Sequence, residues 1–143
     1  MTALSSETVH ASAVSIGGRA VLIAGHPGSG KSDLALRLID RGAVLVSDDY
    51  TIVTRTGDGL VASPPETIRG RIEVRGIGLV DMPVETAVPV AMMIAVDETV
   101  PRLPEPGETR IVAGIALPLI ALSALEASAP IKVELMLKAL AGQ

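Results

Sequence analysis

One stretch near the N-terminus, Gly25–Ser32, constrains the fold more than any other part of the chain. It reads GHPGSGKS and fits the phosphate-binding loop pattern G-x-x-x-x-G-K-[ST]. The apolar run Ala20–Ala24 before it predicts a buried strand, and the apolar residues of Leu34–Ile39 after it recur with helical spacing. Gly42 stands where such a helix would end in a left-handed residue. Strand, glycine-rich loop and helix in this order predict an α/β fold that binds phosphate.

The residue types of this loop explain how it would hold phosphate. Gly28 and Gly30 let successive backbone N–H groups point at phosphate oxygens, and the helix N-terminus adds partial positive charge. Lys31 is placed to reach the terminal phosphates, and the Ser32 hydroxyl to bind Mg²⁺. The alternative is a glycine turn that happens to precede a lysine, but all the fixed positions and both flanking elements match. We therefore predict binding of a nucleoside triphosphate or a related polyphosphate. The predicted contact residues are Gly25, His26, Pro27, Gly28, Ser29, Gly30, Lys31 and Ser32.

Composition excludes several classes of function. The 143 residues fit one domain, and 48% of them are hydrophobic, yet there is one Tyr and no Phe or Trp. A formal net charge of −4 argues against a nucleic-acid-binding face, which would be basic. The lack of Cys excludes disulfides and thiolate sites. Without a signal-peptide pattern or an apolar run of membrane-spanning length, we expect a soluble, cytoplasmic protein that does not bind membranes.

Strand patterns dominate the rest of the sequence. The predicted strands are Val9–Ile16, Ala20–Ala24, Ala43–Val46, Thr51–Thr54, Leu60–Ala62 and Pro89–Val96. The turn signals Gly17-Gly18 and Thr56–Gly59 predict hairpins between the strands that they join. We expect a loop with short strand pieces at Ile72–Met82. No regular element is expected at Pro101–Pro106, which has three prolines.

The C-terminal part adds two elements. Ile115–Leu122 is apolar but contains Pro118, which predicts an edge or broken strand. Ile131–Leu140 predicts a second helix, with Pro130 near its first turn. Apolar residues recur every four positions along this helix and predict its buried face. That predicted face consists of Ile131, Leu135 and Ala139, widened by Met136 and Leu140.

An acidic pair, Asp48-Asp49, follows the predicted strand Ala43–Val46. Asp48 lies 17 positions after Lys31, which leaves room for one helix and no additional strand. The carboxylates should therefore emerge at the same sheet edge as the loop, where one could bind Mg²⁺ or take a proton from an acceptor hydroxyl. The alternative is an Asp-rich turn before Tyr50. The phosphate-binding loop favours the functional interpretation.

The segment Thr67–Asp81 has three glycines and three arginines around one internal carboxylate, Glu73. Arginines near a phosphoryl group can neutralise developing charge, and an acid among them can bind a metal ion. Alternating charges on an exposed strand would look much the same, so the residues alone leave both interpretations open.

Taken together, these motifs resemble the catalytic domain of HPr kinase/phosphorylase. The matching pieces are His10 in VHASAVSI, the loop GHPGSGKSD, the run LIDRGAVLVSDD and the run IEVRGIGLVD, with His10 lying 21 positions before Lys31. The resemblance covers about half of the chain, residues 10–81. It implies the fold shared by HPr kinase and PEP carboxykinase, a mixed sheet with few helices. It also implies the short form of the family, with one catalytic domain over residues 1–143.

The same resemblance implies the chemistry. ATP with Mg²⁺ would be the phosphoryl donor, a serine of the phosphocarrier protein HPr the acceptor, and a hexamer the assembly. Asp49 would be the acid/base group, and Asp48 would support it or share the metal ion, which Ser32 and Glu73 would bind. The catalytic residues implied are Asp49, Asp48, His10, Lys31 and Arg102, the last aligned through PRLPEP. His26 stands at a variable loop position and is given no role beyond the loop.

Two departures from the family pattern bear on the activity. Pro27 replaces a small hydroxyl residue in the loop, and a late segment that is basic in the family reads GIALPLIALSA here. The second departure favours the kinase direction over phosphorolysis. A small-molecule kinase and a non-catalytic nucleotide-binding regulator remain the alternative functions.

Overall fold

The computed structural model describes residues 5–103 and 107–141, and over these residues it is a mixed α/β structure. The helices are α1 (Lys31–Asp40) and α2 (Ala129–Ala141), and a 3₁₀ turn covers Glu66–Ile68. The strands described are β1 (Ser6–Val9), β2 (Ala11–Ile16), β3 (Arg19–Ala24), β4 (Val44–Ser47), β5 (Thr51–Thr56), β6 (Gly59–Ser63), β7 (Arg71–Val74), β8 (Gly78–Asp81), β9 (Val88–Ala95), β10 (Thr109–Val112) and β11 (Ile115–Ala121).

The main sheet has the strand order β1-β5-β6-β9-β3-β2-β4. Its centre is the parallel pair β3 and β9, while β2 is antiparallel to both β3 and β4. On the edge opposite β3, the start of β9 (Val88 and Pro89) pairs with β6, and its end (Met93–Ala95) pairs with β11. This change of partner along one strand curls the sheet. Strand β10 extends it beyond β11, and β7 and β8 form a separate two-stranded hairpin.

Apolar side chains cover both faces of the central strands. On β3, Ala20 and Leu22 point to one face and Val21 and Ile23 to the other, because side chains alternate along a strand. The first set packs inside the curl against residues such as Leu60 and Leu117. The second set packs under α1, α2 and Ile72 of the hairpin. This two-sided burial explains why the central strands read as continuous apolar runs.

Most predicted elements are confirmed. The Gly17-Gly18 turn joins β2 to β3, with both glycines at positive φ, and Gly57-Asp58 joins β5 to β6. The predicted strand Val9–Ile16 is divided at His10, because β1 pairs with β5 whereas β2 pairs with β3 and β4. The irregular segment predicted at 101–106 is confirmed for 101–103, and residues 104–106 lie outside the described part.

The prediction for Ile115–Leu122 was wrong in one respect. β11 is a continuous strand with a neighbour on each side, β10 and β9. Pro118 is tolerated because the neighbouring Leu119 amide points toward β10, so the proline nitrogen points the opposite way. On that side, pairing with β9 begins only at Leu119.

The predicted buried face of α2 was also wrong. Ile131 and Leu135 are 43% and 59% exposed, whereas Val133 and Leu137 are buried with Ala129 and Pro130. Met136 and Leu140 pack at the margin of the core, as expected. Within the described residues, neither helix is long and apolar enough to cross a membrane.

Candidate active site

The phosphate-binding loop, the acidic pair and His10 meet at one edge of the sheet. Strands β3 and β4 run the same way, since β2 lies antiparallel between them. The loop after β3 and the acids after β4 therefore leave the sheet at the same edge, and His10 enters β2 there. These residues line a cleft of about 620 Å³. The predicted site residues lining it are His10, Pro27, Gly28, Gly30, Lys31, Ser32, Asp48, Asp49 and Glu73.

The loop requires glycine at two positions for different reasons. Gly30 caps α1 in the left-handed conformation, with φ of 99°. A Cβ on Gly25 would lie 2.5 Å from Ser29 Oγ and 2.8 Å from Val96 Cγ2, so a side chain there would clash with the loop itself and with the residue that follows β9. These constraints fix the path of the chain from β3 into the first turn of α1.

The loop presents hydrogen-bond donors to the cleft. Lys31 is 5% exposed, and its Nζ donates to the carbonyl oxygens of Gly25 at 2.7 Å and His26 at 3.3 Å. At the start of α1, the N–H groups of Lys31, Ser32 and Asp33 have no acceptor in a preceding helical turn. A cation and backbone donors around one turn are the groups that a polyphosphate needs.

Asp48 joins four parts of the fold through one buried carboxylate. Its Oδ1 accepts hydrogen bonds from Ser12 Oγ at 3.0 Å and Ser32 Oγ at 2.5 Å. Its Oδ2 accepts the backbone N–H of Glu73 at 2.9 Å. Strands β2 and β7 and helix α1 are thereby tied to the end of β4. Because Asp48 accepts three hydrogen bonds and is 8% exposed, its role is structural: it fixes the positions of these elements around the cleft.

Asp49 differs from its neighbour in exposure and in partners. Its backbone lies in the left-handed region, at φ of 70°, and its side chain is 56% exposed. His10 Nε2 lies 2.9 Å from its Oδ1, and the Ser12 hydroxyl accepts its backbone N–H at 3.1 Å. The His10 ring stacks on Tyr50, with centroids 4.8 Å apart and planes 16° from parallel. Asp49 therefore offers an accessible, oriented carboxylate to the cleft.

The hairpin β7–β8 forms the opposite wall. Glu73 and Arg75 line the cleft, and both side chains are exposed. Ser32 and Glu73 contribute the hydroxyl and carboxylate oxygens that suit Mg²⁺, which takes part of its shell from water and phosphate. Among the described residues, no group of three or more His, Asp and Glu side chains could hold a metal ion alone. The donor set thus fits a metal ion that arrives with a polyphosphate.

Sequence reasoning missed one residue at the loop, Asp97. It follows β9, and its Oδ2 accepts the backbone N–H of His26 at 2.8 Å and lies 3.0 Å from the Nδ1 of the same residue. These two hydrogen bonds lower the pKa of Asp97. The signal was present, since Asp97 ends an apolar strand as Asp48 does.

The structure does not bring Arg102 to this cleft. Arg102 lines a second cleft, of about 490 Å³, between the segment after β9, the end of β11 and α2. Glu98, Leu122 and Lys132 also line it, and it shares no lining residue with the first cleft. The catalytic role expected for Arg102 therefore has no geometric support in the described residues.

Comparison with known proteins identifies the family. Residues 2–91 match the family model of the HPr Serine kinase C-terminal domain. The chain belongs to the HPr kinase family. HPr kinase/phosphorylase of Mycoplasmopsis pulmonis is 43% identical over 74 residues, which are 52% of this chain and 24% of that protein. The corresponding protein of an Exiguobacterium species is 48% identical over 75 residues, again 52% and 24%.

A solved structure extends the similarity to the C-terminal part. The HPr(Ser) kinase/phosphatase from Coxiella burnetii superposes with a TM-score of 0.78 at 30% identity, covering 93% of this chain and 95% of that one. The predicted resemblance and fold are confirmed. The chain spans about a quarter of the length of the curated HPr kinase relatives that it matches.

Proposed function

We propose that this domain is an ATP-dependent protein serine kinase that phosphorylates HPr, with Asp49 as the acid/base group. The observation that carries the proposal is the contrast within the acidic pair. Asp48 is buried under three hydrogen bonds, whereas Asp49 is exposed in the cleft and oriented by His10. A general base must reach the hydroxyl whose proton it takes, and Asp49 is the accessible member of the pair.

The division of roles follows from these contacts. Asp49 accepts the proton of the incoming serine hydroxyl, and His10 Nε2 at 2.9 Å orients the carboxylate. Lys31 and the amides that open α1 hold the polyphosphate and balance its charge. When bound through Ser32 and Glu73, Mg²⁺ would neutralise phosphate oxygens. Asp48 keeps Ser32 and the hairpin at fixed positions relative to Asp49.

The uncharged segment 114–125 favours the kinase direction over phosphorolysis. Residues 114–125 carry no charged side chain, so they offer no cation to bind the inorganic phosphate that phosphorolysis requires. Incubating serine-phosphorylated HPr with inorganic phosphate and measuring pyrophosphate tests the reverse reaction, for which we expect little product. The hexamer, the single domain over residues 1–143 and the cytoplasmic location stay predictions.

Phosphoryl transfer from γ-labelled ATP to HPr tests the function and the roles together. We expect Lys31→Ala to abolish transfer. Asp49→Asn should bind nucleotide normally but transfer about 10²- to 10⁴-fold more slowly, because it removes a positioned base. Asp58→Asn is the matched control, since it neutralises an exposed aspartate in the β5–β6 turn, outside the cleft. Transfer to HPr by Asp49→Asn at the wild-type rate would refute the role of Asp49.

The same assay separates the alternative functions. Label on a metabolite instead of HPr would favour a small-molecule kinase. Nucleotide binding by the wild-type chain without transfer to any acceptor would favour a nucleotide-binding regulator.

A further inference from the structure

We infer that Asp97 is a positioning residue for the nucleotide, acting through His26 to hold the first half of the phosphate-binding loop in place. This inference rests on the proposed function, since it concerns how the same loop binds its nucleotide. It adds a residue that lies outside the segment matching the family model, residues 2–91.

Asp97 reaches the loop from the neighbouring strand. Strands β3 and β9 are parallel and paired through Ala24 and Ala95, so the residues that follow each strand lie side by side. One carboxylate oxygen of Asp97 accepts the backbone N–H of His26 at 2.8 Å and contacts its ring Nδ1 at 3.0 Å. Two contacts to one residue fix both the peptide plane and the side chain of His26.

His26 in turn supports Lys31, the residue proposed to contact the phosphates, through its own carbonyl group. Its carbonyl oxygen accepts the backbone N–H of Ser29 at 3.1 Å, which closes the turn of the loop. The same oxygen accepts a hydrogen bond from Lys31 Nζ at 3.3 Å. A continuous chain of hydrogen bonds therefore runs from the end of β9 through Asp97 and His26 to Lys31.

The two halves of the loop are held by different means. Its second half is packed, because a Cβ on Gly30 would lie 3.1 Å from the Ala124 side chain, and α1 begins directly after it. Residues 26–28 are exposed and have little packing to fix them. Apart from Lys31, which belongs to the loop itself, Asp97 is the described side chain that hydrogen-bonds to this exposed part. Removing it should leave the fold intact and loosen the loop ahead of Lys31.

The test is the separation of nucleotide binding from catalysis in Asp97→Ala. Loss of a charged acceptor with two contacts predicts a Kd for Mg–ATP about 10- to 100-fold higher. The KM for ATP should rise with it, while kcat at saturating ATP stays within about threefold, because the hydrogen bonds of Asp97 are to His26 and not to Asp49 or His10. Asp97→Glu, which keeps the carboxylate, should recover part of the affinity.

Two controls isolate the contact from the charge. Glu98→Ala removes the next carboxylate, which binds Arg110 rather than the loop, and should leave the Kd unchanged. His26→Ala removes the ring but keeps the peptide N–H, so its effect should be smaller than that of Asp97→Ala. Amide hydrogen exchange at His26 should accelerate in Asp97→Ala and not in Glu98→Ala.

The outcomes distinguish this inference from the proposed function. If the wild-type domain binds no Mg–ATP, the proposed function fails. If the wild type binds ATP and phosphorylates HPr, but Asp97→Ala has the wild-type Kd, the inference alone is refuted. Equal losses of affinity in Asp97→Ala and Glu98→Ala would also refute it, since charge rather than contact would then be responsible.

Discussion

Replacing Asp48 with Asn should destabilise the domain, although the two side chains have nearly the same shape. The carboxylate accepts two serine hydroxyls on Oδ1 and the Glu73 N–H on Oδ2. An Asn has one acceptor oxygen. If that oxygen faces the serines, its NH₂ group meets the Glu73 N–H. If the amide is reversed, the hydroxyls of Ser12 and Ser32 lose their acceptor.

The lost hydrogen bonds set the expected change in the free energy of unfolding. Leaving a buried donor without an acceptor costs about 1–3 kcal/mol, and the hydrogen bonds that remain lose their charge. We expect Asp48→Asn to lower the free energy of unfolding by about 2–3 kcal/mol. For a domain of this size, that corresponds to a Tm lower by roughly 4–12 °C.

The comparison variant is Asp49→Asn, one residue away. Asp49 is exposed, an Asn oxygen can still accept from His10, and Asn tolerates the φ of 70°. Its free energy of unfolding should stay within about 0.5 kcal/mol of the wild type. Thermal and urea unfolding followed by circular dichroism measure both variants. Equal Tm values for wild type and Asp48→Asn, or a larger loss in Asp49→Asn, would refute the assignment of Asp48 as the structural member of the pair.

Two further predictions concern the loop. Gly25→Ala should weaken Mg–ATP binding at least about 10-fold, because its Cβ would lie 2.5 Å from Ser29 Oγ and 2.8 Å from Val96. The control is Gly59→Ala, whose Cβ meets nothing closer than 4.0 Å. Equal affinities of the two variants for Mg–ATP would contradict this prediction. The second prediction concerns acid. Because hydrogen bonds from His26 hold the pKa of Asp97 below its ordinary value of 3.8, its contribution to stability is complete above that pH and is lost as the pH falls through the lowered pKa. Urea unfolding should show the stability advantage of wild type over Asp97→Asn shrinking below about pH 4, and a constant difference down to pH 2 would exclude this linkage.

The part of the site nearest the loop motif could be predicted from the sequence. The spacing between Lys31 and Asp48 left room for a single helix, and this placed the acids at the correct sheet edge. Asp97 ends an apolar strand that the sequence does predict, but nothing in the sequence says that this strand, β9, pairs with β3, so Asp97 could not be placed beside the loop. Its partner His26 looked incidental for the same reason.

Ambiguous patterns account for the errors in the fold. Residues 131–140 are apolar on nearly every side of α2, so periodicity could not decide between the Ile131–Leu135 face and the Val133–Leu137 face. Which face of α2 is buried depends on how the helix packs on the sheet, and periodicity carries no information about that packing. Pro118 interrupts hydrogen bonding on one edge of β11, the edge that faces β9, and leaves the pairing with β10 intact. The sequence does not tell which edge a proline nitrogen will face.

The stacking of Tyr50 on His10 has a practical consequence. The chain has one Tyr and no Trp or Phe, so its intrinsic fluorescence comes from a single phenol beside Asp49. Emission from that ring reports on the candidate active site without a label and without background from the rest of the domain. Any ligand that shifts the imidazole can be followed by tyrosine fluorescence in the unmodified protein.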